Sequence, residues 1–460
     1  PDGQRSVFGF GKKIKNTIER NEFGMEMADC KCPFCFQQFS PQKAAFKAMT
    51  VFTEQDFSAG MEEEELELKK RYELATDQIY QAFWTRYPKS EPENSYKDYP
   101  VIDNLSDQFL HGTYEMDSSG FVNRAVDAFG VSSKVRICPY CHNVLPFEFG
   151  KYPVKYISVV GITSSGKTVY LSQLLRQIET FFVKAGLTVV GTYDEVDRFL
   201  DDYKIQKNVP LPRGNAADGL MPPLALNVKC NKTQQVYTLV FYDIAGENCV
   251  RPEQMEKYGP FIRNSDGLLL MIDPEQFIGS LTQDGDFEKE AHSPDKVIAA
   301  MWNAFVTSDN KEGRSSIPLA VVLSKSDTQT EVLDYRSLLF SNISYAGYTD
   351  YEIPLKDFAA TDMEVRRLLA QLNRNKTDIL CNKLNECFPA HAFFAVSALN
   401  TKPQEHRDTY EEDCYMLDEE PETVRVEEPV FWILYKLGVL PVKEAEAKKK
   451  RSGLLRKIFS

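Results

Sequence analysis

A chain of 460 residues can hold two or three domains and at least one large core. Its formal net charge of -13 argues against a broad nucleic-acid-coating surface, which needs concentrated Lys and Arg, although a small basic patch remains compatible. No apolar run reaches the roughly 18 residues that span a bilayer, and ten cysteines, partly clustered, suit metal binding in a reducing, cytoplasmic setting better than a secreted disulfide framework.

Residues 1–29 form a Gly/Lys-rich segment in which Phe8, Phe10, Ile14 and Ile18 alternate with Lys12, Lys13 and Lys15. Residues 30–150 are bracketed by two near-identical pairs, Cys32-Pro-Phe-Cys35 and Cys138-Pro-Tyr-Cys141. Each C-P-aromatic-C turn aims two thiolates at one point, and two such turns complete a tetrahedral zinc site with no position left for water. Cys30 and His142 are adjacent alternates, but pairing the matching knuckles is simpler; buried or redox-active thiols are the rival reading. A compact zinc ribbon does not need the segment between the pairs, so about 36–137 is expected to be a largely helical insertion. A helix is predicted within Met61–Tyr87, where Leu68, Tyr72, Ala75, Ile79 and Phe83 recur at steps of three and four.

From Lys151 the pattern changes to short apolar runs alternating with helical segments, which predicts an α/β domain over 151–440: a mostly parallel sheet with helices on both faces. Buried strands are expected at Tyr156–Val160, Tyr237–Tyr242, Gly267–Ile272, Leu319–Leu323 and Ala392–Val396, with Leu224–Lys229 as a partly exposed edge strand. Leu171, Leu174, Leu175, Ile178, Phe181 and Phe182 make a helical stripe, and Val430, Phe431, Ile433, Leu434 and Leu437 make a second near the end. Thr401–Glu427 is acidic and turn-rich, and is expected to be a surface excursion. The tail, 441–460, is basic with spaced apolar residues. Like the N-terminal segment it could touch an acidic membrane surface or a partner, or remain solvated.

The motifs sit at strand ends. Gly161-Ile-Thr163-Ser164-Ser165-Gly166-Lys167-Thr168 fits the phosphate-loop pattern between a strand and an amphipathic helix. Backbone N–H groups of such a loop, extending to Val169, face the phosphates; Lys167 would reach the β- and γ-phosphates, and the Thr168 hydroxyl would ligate magnesium. The strand ending at Tyr242 runs into Asp243-Ile-Ala-Gly246-Glu247, where Asp243 can serve magnesium and Gly246 can offer an N–H to the γ-phosphate. Leu319–Leu323 runs into Ser324-Lys325-Ser326-Asp327. The Asp327 carboxylate can accept two hydrogen bonds from guanine N1 and N2, which adenine cannot offer, while Lys325 packs along the base. Ser397-Ala398-Leu399 follows the next strand and is placed to contact the guanine oxygen.

With these residues in place, the chain resembles the translation-factor-related class of P-loop GTPases over about Tyr152 to Leu440, and within that class the bacterial double-GTPase families. The resemblance implies GTP and GDP as ligands, magnesium as cofactor, and hydrolysis assisted by Lys167, Gly246 and Glu247. It also implies switch loops that change affinity for a protein partner, and makes a nucleotide-dependent dimer conceivable. Two departures temper it. Asp201 to Pro223 contains no Thr or Ser to sense magnesium, and Thr188 and Thr192 come early in the chain. Glu247 stands where many GTPases have Gln; a carboxylate about 5 Å from the γ-phosphate meets a repulsion of about 3 kcal/mol at an effective dielectric near 20. The repulsion is relieved only if Glu247 is protonated, points away or is offset by Arg213 or Arg251, which are otherwise ordinary solvent arginines. Slow basal hydrolysis follows, and the alternative is a hydrolysis-poor, nucleotide-stabilised scaffold. A third reading makes the zinc unit the partner reader, with nucleic acid disfavoured by the acidic balance.

Overall fold

The computed structural model describes residues 27–57, 60–87, 91, 95–161, 165–212, 220–245, 252–275, 294–305, 315–329, 337–342, 355–407 and 413–440. Both basic ends, apart from residues 27–29, lie outside these. None of the described helices is long and apolar enough to cross a membrane.

The N-terminal part is built of short strands. β1 (Cys30–Lys31) pairs with β2 (Gln38–Phe39); β3 (Ala45–Lys47) lies between β4 (Val101–Ile102) and β8 (Arg136–Ile137); β5 (Thr113–Met116), β6 (Val122–Val126) and β7 (Ser132–Ser133) form a third sheet. Only two α-helices occur among its described residues, α1 (Glu63–Lys70) and α2 (Gln78–Trp84). The largely helical character expected for 36–137 is therefore corrected to a mixture of short strands and short helices. Asp77 explains why the predicted helix within Met61–Tyr87 breaks. Its carboxylate caps α2 by accepting from the Ile79 and Tyr80 N–H groups, and it also takes a 2.6 Å bond from the buried Lys47 ammonium. A continuous helix could not present Asp77 to both. Tyr72 is buried as expected, but Ala75 and Ile79 of the same stripe are exposed, and Tyr80, Trp84 and Tyr87 are buried in their place.

The second part is organised by a seven-stranded sheet in the order β10-β11-β12-β9-β13-β14-β15. β9 (Val154–Gly161), β12 (Val236–Ala245), β13 (Gly267–Ile272), β14 (Leu319–Leu323) and β15 (His391–Ala395) run parallel, and β11 (Leu224–Cys230) and β10 (Leu187–Thr192) add antiparallel ladders. β11 is thus an internal strand, not the edge. The buried Asn227 that made it look half-exposed accepts a 2.7 Å bond from the Thr238 hydroxyl. The edge is β10, which carries Thr188 and Thr192 on its exposed positions.

Side chains alternate across the sheet with period two. One set, including Ile157, Val159, Phe241, Leu269 and Val322, packs under α3 (Lys167–Arg176), α4 (Ile178–Lys184), α5 (Asp194–Asp202) and the last helix. The opposite set, including Val160, Ile244, Leu270 and Val321, meets α6 (Pro252–Arg263), α7 (Pro294–Phe305) and much of α8 (Leu355–Cys387). The last helix, α9 (Glu428–Lys436), sits close on β13: a Cβ on Gly267 would fall 2.5 Å from Ile433 Cγ2.

The 401–427 excursion is more integrated than a surface loop. Its hairpin, β16 (Gln404–Arg407) with β17 (Asp413–Met416), is joined by residues 208–211 through Leu211 N–H to Tyr415 O (2.7 Å) and Asn208 N–H to Leu417 O (2.9 Å). The excursion closes on buried Val424–Glu427. Arg425 donates to Glu428 Oε2 at 2.9 Å. Burial raises the Glu428 carboxyl; Arg425 pulls it back only in part, and neighbouring Glu427 adds to the rise, so it is pushed up to about 8 from 4.5. The folded state therefore holds this proton more tightly than the unfolded chain. The stability it contributes is complete below about pH 4.5 and is lost as pH rises through about 8. A thermal midpoint that falls between pH 6 and 9, with a flatter profile for Glu428→Gln, is the expected result of calorimetric melting.

Candidate functional site: a row of strand ends and a four-thiol centre

One row of residues crosses all five parallel strands. Ala245 is in register with Gly161, Gly161 with Met271, Met271 with Val322, and Val322 with Phe394. Every motif named above leaves the sheet at or just beyond this row, along its carboxyl edge, where open α/β sheets bind ligands.

At the centre, Gly161 ends β9. A Cβ there would lie 2.6 Å from Ser165 Oγ and 2.9 Å from the Met271 carbonyl oxygen, so the position admits only glycine without disturbing the β9–β13 ladder. Gly166 takes the left-handed conformation (φ 80°) and caps α3, which opens with Lys167. Lys167 Nζ folds back to the Gly161 carbonyl at 2.7 Å, and the Thr168 hydroxyl donates to Asp243 Oδ2 at 2.8 Å. Two groups far apart in sequence are thus brought together where a divalent cation between them would meet one hydroxyl and one carboxylate. Ser165 is buried and Val169 half-buried. Thr163, Ser164, Arg213, Gly246, Glu247 and Arg251 lie outside the described residues.

Two strands away, the turn after β14 is pinned from both sides. Ser324 N–H and Oγ donate to the Ile272 carbonyl at 2.9 and 3.1 Å, and Ser326 N–H donates to the Val396 carbonyl at 3.1 Å. Lys325 is left-handed (φ 50°), and its ammonium reaches Asp273 Oδ2 at 2.5 Å. Asp327 is half-buried in the short turn Ser326–Gln329. Beyond β15, Ser397 is buried and exchanges two backbone bonds with Val424, while its hydroxyl accepts from Asn400 N–H at 2.8 Å; Ala398 and Leu399 are half-buried. Asp273 was not singled out by sequence. The available signal is its place directly after an apolar run, as Asp243 follows the run Tyr237–Tyr242 in the sequence.

The four predicted thiols converge. Cys32, Cys35, Cys138 and Cys141 have all sulfurs within 4.8 Å of one another, and the pairs 32–141 and 35–138 stand at 3.7 Å. A tetrahedron with zinc–sulfur bonds of about 2.3 Å has edges of about 3.8 Å, so the donor set fits zinc. The two knuckles repeat each other. Phe36 N–H bonds the Cys32 carbonyl and His142 N–H the Cys138 carbonyl, both at 3.0 Å, and both residues are left-handed (φ 59° and 53°). Phe34, Tyr140 and the Asn143 amide direct N–H groups at Cys32, Cys138 and Cys141 Sγ, which stabilises thiolate charge. Burial pushes the Cys32 and Cys141 thiols up, whereas hydrogen bonds from the neighbouring thiols pull Cys35 down.

Neither alternate ligand joins the cluster. Cys30 Sγ faces the Phe39 carbonyl, and burial pushes its thiol up to about 12. His142 Nδ1 is taken by the Asp77 carboxylate at 2.8 Å.

The thiol centre is packed directly against the sheet. The Phe36 ring sits among Tyr156, Tyr242 and Phe261, with centroids 6.4, 6.0 and 5.0 Å away. The two tyrosine hydroxyls donate to the Lys31 and Pro33 carbonyls at 2.5 and 2.8 Å. Tyr242 directly precedes Asp243, and Phe261 lies on α6, the helix that follows the Gly246 loop. Tyr87 adds a bond from its hydroxyl to the Lys257 carbonyl at 2.9 Å and an edge contact with Tyr258.

Residues 155–369 match the model of a family described as Double-GTPase 2. No curated protein matches the chain.

Proposed function

We propose that this protein, whose residues 155–369 match the Double-GTPase 2 family model, binds guanine nucleotide at the carboxyl edge of its sheet. In this reading it hydrolyses GTP to GDP slowly and uses the change to alter its affinity for a protein partner. The observation that carries the reading is the row Ala245–Gly161–Met271–Val322–Phe394. It sets the 161–168 turn and the 324–327 turn on one edge, two strands or about 10 Å apart, a separation that a nucleoside triphosphate bridges.

In this P-loop arrangement, N–H groups of Thr163, Ser164, Ser165, Gly166 and Val169 surround the phosphates, and Lys167 exchanges its bond to Gly161 for the β- and γ-phosphate oxygens. Thr168 and Asp243 would hold magnesium, which would supply positive charge to offset that of the phosphates. Water attacks the γ-phosphorus, the bond to that bridge oxygen breaks, and GDP and phosphate leave. Gly246 N–H steadies the γ-phosphate, and Glu247 in place of Gln keeps the step slow. Asp327 reads guanine N1 and N2, Lys325 and Ser324 shape the base pocket, and Ser397, Ala398 and Leu399 approach the guanine oxygen. Zinc at the four thiols would be structural, fixing the knuckles against the sheet.

The reading is tested by displacement of a fluorescent GDP analogue. GTP should compete at least about a hundredfold better than ATP, because a pocket built to pair with N1 and N2 is left with an unpaired carboxylate by adenine. Asp327→Asn should favour xanthosine nucleotides, whose C2 carbonyl can accept from the new amide. Equal competition by ATP would sink the guanine assignment.

A second reading, a hydrolysis-poor scaffold, is favoured by the hairpin that clasps 208–211, since the stretch before β11 is then tied down at one end and carries no Thr or Ser. Undetectable single-turnover hydrolysis with intact GTP binding would select it.

A further inference from the structure

We infer that Asp273 is a positioning residue for nucleotide recognition, acting by holding Lys325 in the orientation in which its stem forms one wall of the base pocket. This inference rests on the guanine reading of the 324–327 turn. β13 is the strand that separates the phosphate turn on β9 from the base-reading turn on β14, so whatever stands at its carboxyl end lies beneath the span between phosphate and base. Asp273 stands there, directly after Ile272, and is only 4 % exposed.

Its two carboxylate oxygens have separate tasks. Oδ1 accepts from Glu275 N–H at 3.0 Å, which fixes the carboxylate plane, and Oδ2 accepts from Lys325 Nζ at 2.5 Å. The lysine approaches from a left-handed backbone position, a conformation that L-residues seldom adopt and that turns its side chain back toward β13. The two Ser324 bonds to the Ile272 carbonyl hold the preceding residue in place, but they supply no charge and do not reach the side chain. Lys325 keeps 41 % of its side chain accessible while Asp273 beneath it is covered. The stem therefore offers a face to a ligand, and the ammonium is anchored at the far end.

A lysine stem without that anchor samples many rotamers, and binding a planar base against it must then order it. Its side-chain entropy would be lost at the moment of binding instead of during folding. Replacing Asp273 by Asn keeps the shape and one hydrogen-bond acceptor but removes the charge. The loss should therefore fall on ligands that carry a base and not on the phosphate turn.

The test is a double-mutant cycle on the full chain, with Kd values for GDP and for inorganic pyrophosphate measured by calorimetry. Asp273→Asn should raise the Kd for GDP about tenfold, and it should add little in a Lys325→Ala background, because the effect on base binding runs through that lysine. Pyrophosphate affinity should stay unchanged in all variants. The inference is overturned if wild-type protein prefers guanine yet Asp273→Asn binds GDP normally. It is equally overturned if the variant loses pyrophosphate binding in parallel, or if its effect persists in full without Lys325. Wild-type protein with no preference for GDP over ADP would instead remove the guanine reading itself, and this inference with it.

Discussion

Cys138→Ser should leave the protein without its zinc and lower its thermal midpoint more than any other change described above. The buried sulfur belongs to the same core as Tyr156 and Tyr242, so losing the metal frees two knuckles and the floor they provide for β9 and β12. Structural zinc contributes about 10–16 kcal/mol of apparent binding energy in small zinc units. Even a fraction of that is comparable with the whole stability of an ordinary domain, about 5–15 kcal/mol. Metal analysis and melting of the purified protein provide the measurement, with Cys30→Ser as the control that keeps its metal. Less than half an equivalent of zinc in unstripped wild-type protein would remove the assignment.

Lys167→Ala should weaken GTP binding by about two to four orders of magnitude, because two charge-assisted bonds of about 1.5–3 kcal/mol each disappear, and GDP binding by about one to two, because only the β-phosphate bond is lost. Its effect on the fold should be small by comparison. Lys167 is half-buried at the first turn of α3, a position that alanine occupies without strain, and the Gly161 carbonyl that it contacts is at the open edge of the sheet. Titration calorimetry beside a melting curve separates the two effects. Unchanged affinity would end the phosphate-loop reading, whatever the state of the zinc centre.

The parallel strands were legible because burial on both faces turns each into a short apolar run ending in a motif: Tyr156–Val160 before Gly161, Leu319–Leu323 before Ser324. The four thiol positions were legible because the knuckle is a local motif whose spacing survives any insertion. What could not be read was non-local. β10 shows every second side chain (Thr188, Val190, Thr192) to solvent and owes its existence to pairing with β11. Within 36–137, strands of two to five residues are stabilised by partners as distant as β3 and β8, and no periodic signal that short outweighs the helical spacing of Leu68, Tyr72 and Phe83. The break at Asp77 likewise depends on Lys47, which the helical pattern does not include. The ion pair between Asp273 and Lys325 joins two strand ends that only the sheet order makes adjacent.

The socket for Phe36 leaves a trace that can be sought in other chains. Tyr156, Tyr242 and Phe261 are 5 %, 1 % and 1 % exposed because a knuckle covers them. Uncovered, that aromatic trio would be a greasy blemish beside a nucleotide edge. Chains that share the strand-end motifs but have lost the cysteine pairs should have replaced the trio with polar side chains. Chains that keep all three rings should still carry a lid for them, even where its cysteines have drifted beyond recognition.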